Sequence, residues 1–175
     1  TVPLPTSSAL FDGLSGLNPN KDSTLDPAFH GTLDSLTLDG YTGTLVFGRD
    51  LNVSKNITVM TGHLTSDNKG PINLEAQNGG INVGKDVLIS APTITFTAAG
   101  LIDIYGSLKG DFVHLQSLNG DIILENGSLI DASTTEPGAS GGRVEILANR
   151  IALRGAEIDA SGPMGGGTIL IGGDY

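Results

Sequence analysis

The chain closes with GRVEILANRIALRGAEIDASGPMGGGTILIGGDY, Gly142 to Tyr175, and a shorter cousin, NGSLIDASTTEPGASGG, lies just upstream at 126–142. Ile-Asp-Ala-Ser is written twice, at Ile130–Ser133 and Ile158–Ser161, and each copy leads into a glycine-rich run. Successive side chains of a strand point to opposite faces, so in each copy Ile and Ala share one face and Asp and Ser the other. Parallel stacking would set equivalent residues about 4.8 Å apart. Ile130 and Ala132 then lie beneath Ile158 and Ala160, pointing inward, while Asp131, Asp159, Ser133 and Ser161 point outward.

The same period-two alternation runs back through the chain to Thr32, in short segments such as TLVF (44–47), INLEA (72–76), ITF (94–96), DIILE (121–125) and RVEIL (143–147). That is how a half-buried strand presents itself, and helical spacing is nearly absent. Between the segments stand GRD, SKN, QNGG, GKD, LNGD and ENG, rich in the residues that form turns. Turns arrive more often than the 8 to 12 residues usual for sandwiches and barrels. The segments group in threes: units begin at Pro71, Pro92, Phe112, Arg143 and Thr168 and differ in length mainly through TTEPGASGG and GPMGGG at one corner. A unit of this size that repeats is a solenoid turn, which buries its apolar side only by stacking on the next. The predicted fold is all-β, a parallel β-helix with three short strands per turn over 41–175. A loop-rich N-terminal segment or cap, broken by Pro3, Pro5, Pro19 and Pro27, is expected over 1–40.

Composition fits this reading. Of 175 residues, 26 are Gly, about twice the usual share, and the aromatics are five Phe and three Tyr without Trp, so the core must be made mostly of Ile, Leu, Val and Ala. Nine basic against nineteen acidic residues give a net charge of −10, which repels nucleic-acid backbones and anionic lipid. The absence of Cys excludes disulfides and thiolate metal sites. No apolar run approaches the roughly 20 residues of a spanning helix. The N-terminus TVPLPTSSALFDG lacks the layout of a signal peptide, and the chain reads as a processed product or a piece of something longer.

Over about Pro71 to Tyr175, and most strongly in GGRVEILANRIALRGAEIDASGPMGGGTILIGGDY, the repeats resemble those of filamentous-haemagglutinin-type exoproteins, the secreted partners of bacterial two-partner secretion systems. The resemblance implies a right-handed β-helix exported through a dedicated outer-membrane transporter to act at the cell surface as an adhesin or fibre. The family's secretion domain often carries an Asn-Pro-Asn element, and Asn18-Pro19-Asn20 occurs here, followed by Lys21 where the family usually has an apolar residue. Expected partners are that transporter during export, and then a host-cell or glycan surface or other copies of the chain.

Parallel β-helices also serve as polysaccharide lyases and hydrolases, so outward carboxylates count as candidates. They are Asp103, Asp121, Asp131 and Asp159; glycosidases set two carboxylates roughly 5 to 10 Å apart, and Asp131 and Asp159 are one turn apart. The supporting cast of cation, proton-transfer group and stacking aromatics is thin, with Arg143, Arg150 and Arg154 nearby and only Tyr105 and Tyr175 in the region. Calcium bridging by Asp131 and Asp159 is a minor alternative. His30, His63 and His114 share no metal-ligand spacing, and His114 alternates with Val113 and Leu115 so as to face outward. Ser133 and Ser161 lack a nucleophile elbow, and GPMGGGT and GASGGR lack the Lys-Ser/Thr end of a phosphate loop. No catalytic, metal or cofactor residue is assigned. The expected function is non-enzymatic: a secreted or surface β-helical segment of an adhesin or fibre exoprotein. A self-assembling filament protein and a β-helix polysaccharide lyase or hydrolase are the rivals.

Overall fold

The computed structural model describes residues 7–12, 22–26, 32–67 and 70–172. Two strands lead, β1 (Ala9–Asp12) and β2 (Ser23–Leu25). The next triplets are β3 (Leu36–Asp39), β4 (Thr44–Phe47), β5 (Leu51–Val53), then β6 (Ile57–Val59), β7 (His63–Ser66), β8 (Ile72–Ala76). They continue as β9 (Ile81–Val83), β10 (Leu88–Ser90), β11 (Thr93–Ala98), then β12 (Ile102–Ile104), β13 (Ser107–Lys109), β14 (Phe112–Ser117). The last two triplets are β15 (Asp121–Leu124), β16 (Leu129–Asp131), β17 (Arg143–Leu147), and β18 (Arg150–Leu153), β19 (Glu157–Asp159), β20 (Thr168–Gly172).

Every third strand pairs in parallel, which makes three sheets. Sheet A runs β1-β3-β6-β9-β12-β15-β18, sheet B runs β2-β4-β7-β10-β13-β16-β19, and sheet C runs β5-β8-β11-β14-β17-β20. The result is a three-sided β-solenoid of about six turns, as the grouping in threes predicts. Within 1–40, β1 joins β3, β2 joins β4, and Leu33 bridges Val53 at the head of sheet C. Asn18-Pro19-Asn20 lies outside the described residues.

Register follows the inward aliphatic rows. Leu36, Ile57, Ile81, Ile102, Ile122 and Ile151 stack in sheet A. Leu45, Leu64, Ile89, Leu108, Ile130 and Ile158 do so in sheet B. Sheet C carries Leu51, Leu74, Phe96, Leu115, Ile146 and Ile171. A one-residue slip would turn a whole row out to solvent, so burial itself fixes the pairing. Most of these side chains are fully buried; Phe96 is the bulkiest of them, and Phe47, two residues beyond Leu45, is buried as well.

The paired IDAS segments stack as expected, Ile130 on Ile158 and Asp131 on Asp159, with Ile130, Ala132 and Ala160 buried. The glycines beside them are needed for close approach. A Cβ on Gly142 would strike the Asp111 carbonyl oxygen, and one on Gly167 the carbonyl oxygen of Gly142. The two long loops, 133–142 and 161–167, therefore leave and rejoin the stack at one corner, between sheets B and C, with backbone resting on backbone.

Candidate functional site on the outer faces

With the interior filled by side chains, chemistry belongs to the outward rows. The four acidic candidates do not gather. Asp103 and Asp121 stand on sheet A, Asp131 and Asp159 on sheet B.

Asp131 and Asp159 shape the chain where it leaves the strand. The backbone N–H of Ser133 and its hydroxyl both donate to Asp131 Oδ1, at 2.9 and 2.6 Å, and the Ser161 N–H donates to Asp159 Oδ1 at 2.8 Å. Each Asp-Ala-Ser is an Asp-capped turn that starts a glycine-rich loop, which is why the tetrapeptide recurs. Asp131 also accepts from Lys109 Nζ at 2.6 Å, one turn below. Burial works against its ionisation as the largest single influence, yet the Lys109 and Ser133 hydrogen bonds together hold its pKa below the usual carboxylate range. Oδ1 of Asp131 and of Asp159 is thus engaged by backbone of its own turn, and among the described residues no three His, Asp or Glu side chains gather in a metal-binding arrangement.

Other carboxylates are also paired between turns. Arg150 grips Asp121 with two nitrogens, at 3.1 and 2.7 Å, and Arg154 Nη1 reaches Glu125 Oε1 at 2.8 Å. Lys55 meets Asp34 at 3.1 Å. On sheet C, Glu145 takes Arg143 on one oxygen and His114 Nδ1, at 3.0 Å, on the other; the Arg143 hydrogen bond leads in holding its pKa down. His114 does face outward, half-buried in a row with Thr95 and Glu145. His63 is exposed on sheet B, and His30 lies outside the described residues.

On sheet A an acidic group is driven the other way. Asp103 has its pKa raised, first by burial and next by Glu125, against the opposing effects of a hydrogen bond from Tyr105 and the charge of Arg154. Its Oδ1 is buried without a hydrogen-bond donor, and so is Oδ1 of Asn82, its register partner one turn below. A shallow groove crosses this face over Asn56, Thr58, Asn82 and Asp103, walled by Leu101 and glycine backbone. A second groove follows the corner between sheets B and C, past Thr65, Ser90, Lys109, Asp131 and Ser133.

Sequence reasoning singled out Asp103 and named Tyr105 and Arg154 only as nearby along the chain; it missed Asn82 and Glu125. Tyr105, Glu125 and Arg154 each follow a sheet A strand and bond back to the turn below, Tyr105 N–H to Val83, Glu125 N–H to Ile104 and Arg154 N–H to Leu124. Counting in solenoid turns rather than along the chain would have placed them in one column. No family model, curated protein or solved structure matches the chain.

Proposed function

We propose that this chain is a non-enzymatic, surface-exposed β-helical segment of a bacterial adhesin or fibre exoprotein, exported through an outer-membrane two-partner secretion transporter. The observation that carries the reading is the uninterrupted register of the three sheets through about six turns, with the variable loops confined to one corner. Such a stack is a stiff rod whose outer rows repeat at about 4.8 Å, suited to many weak contacts made in parallel. The separation of the four aspartates onto two faces, and the structural work of Asp131 and Asp159, weigh against a sugar-cleaving site built on them.

Beads coated with the native chain should attach to epithelial cells, and beads coated with heat-unfolded chain should not. Attachment no greater than with albumin-coated beads would overturn the adhesive role. Release of reducing ends or unsaturated uronates from a polysaccharide panel, lost in Asp103→Ala, would move the assignment to an enzyme.

End-to-end assembly is the second reading. Ile169, Leu170 and Ile171 of β20 are each 43% exposed and the strand offers a free edge, which can take another strand from the same polypeptide or from another copy.

A further inference from the structure

We propose that the outer face of sheet A, centred on Asn82, Asp103 and Tyr105, binds an uncharged oligosaccharide laid along the solenoid axis. The inference rests on the adhesive reading and gives it a surface and a ligand class. Thr58, Asn82 and Asp103 occupy one outward row in three successive turns, in register and about 4.8 Å apart. The row leaves two acceptor oxygens without a partner. Asn82 Oδ1 and Asp103 Oδ1 have no donor among the described residues, and the Asn56 side-chain oxygen is already taken by the Gly80 N–H at 2.9 Å.

A buried acceptor left without a donor is costly, and the last torsion of Asn and Asp turns easily, so both oxygens can swing to meet a donor arriving in the groove. Sugar hydroxyls are such donors, and a hydroxyl held by a carboxylate makes a strong, charge-assisted bond. Apolar surface stands beside the oxygens, as the carbon–hydrogen face of a sugar ring requires. Leu101 is 44% exposed on the groove wall, and Tyr105, 38% exposed, lies two residues beyond Asp103 on the same side of the strand. Charge selects within the class: Asp103 and Glu125 together outweigh the single charge of Arg154, which pairs with Glu125, and the chain carries −10 overall, so anionic polysaccharides are disfavoured. A metal ion fits poorly, because the row offers one carboxylate among neutral oxygens.

The full chain is titrated by biolayer interferometry against immobilised uncharged hexaoses of glucose, galactose, mannose and N-acetylglucosamine. At least one should bind, and Asn82→Thr, Asp103→Asn and Tyr105→Ala should each weaken it tenfold or more with unchanged far-ultraviolet circular dichroism. Ser90→Ala on sheet B should leave it intact. The proposal is overturned by no binding to any hexaose at the highest chain concentration, by binding that all three sheet A variants retain, by equal loss in Ser90→Ala, or by binding to an immobilised heparin control alone. Cell attachment that the hexaoses neither share nor compete for would sink this site and spare the adhesive role. Hexaose binding without attachment would do the reverse.

Discussion

Asp103 and Asp131 are both half-buried on outer faces, and their surroundings push them in opposite directions. Asp131 titrates lower in the folded chain than in the unfolded one, so its contribution to stability is present above the ordinary carboxylate pKa of about 4 and is lost as pH falls below it. Asp131→Ala removes the turn cap and the Lys109 partner together. It should cost about 1–3 kcal/mol at pH 7, read from urea unfolding, and the gap from wild type should shrink below about pH 4 as both chains carry a neutral group there. For Asp103 the sign reverses: the folded chain takes up the proton first, so the ionised group costs stability at neutral pH and the cost fades as pH falls through its raised pKa. Asp103→Asn should therefore raise the urea midpoint at pH 7 and give no gain in acid. An unchanged or lowered midpoint at pH 7 would contradict the burial effect.

Strands of three to six residues are marginal alone, and their stability here comes from the row each one joins. Ile130→Ala should cost about 2–5 kcal/mol, since that side chain is fully buried between Leu108 and Ile158, whereas Ile158→Ala in the half-covered last turn should cost clearly less; paired urea titrations decide. This dependence also explains what could be read from the sequence. Segments with two or three inward aliphatics, such as INLEA and RVEIL, show their alternation openly, and the units starting at Pro71, Pro92, Phe112, Arg143 and Thr168 match the sheet C strands β8, β11, β14, β17 and β20. His63–Ser66 and Ser107–Lys109 escaped notice because each buries a single aliphatic, Leu64 or Leu108, and one apolar residue has no period. The triplets before Pro71 were likewise hidden, since β7 is the middle-sheet member of one of them. At the candidate site, Asp103 was legible as an outward carboxylate. Its company was not, because Asn82 and Glu125 lie about a turn away in sequence and meet it only once the stack has closed.

At the scale of the molecule, each turn touches only the turns above and below, so stability falls from the middle towards the ends. Hydrogen exchange read by mass spectrometry should find the amides of β11 and β14 the slowest and those of β18 to β20 markedly faster; uniform protection would contradict a stack held only by neighbours. The hydrogen bonds that join one turn to the next also run along the long axis. A tether pulling on the two ends would load one storey at a time and peel it away like tape, instead of shearing all of them at once. Each release would free roughly 20 residues, or about 70 Å of slack. Pulled from its two ends, such a rod would give way in small repeated steps and take up each layer again when the strain eased, a built-in shock absorber.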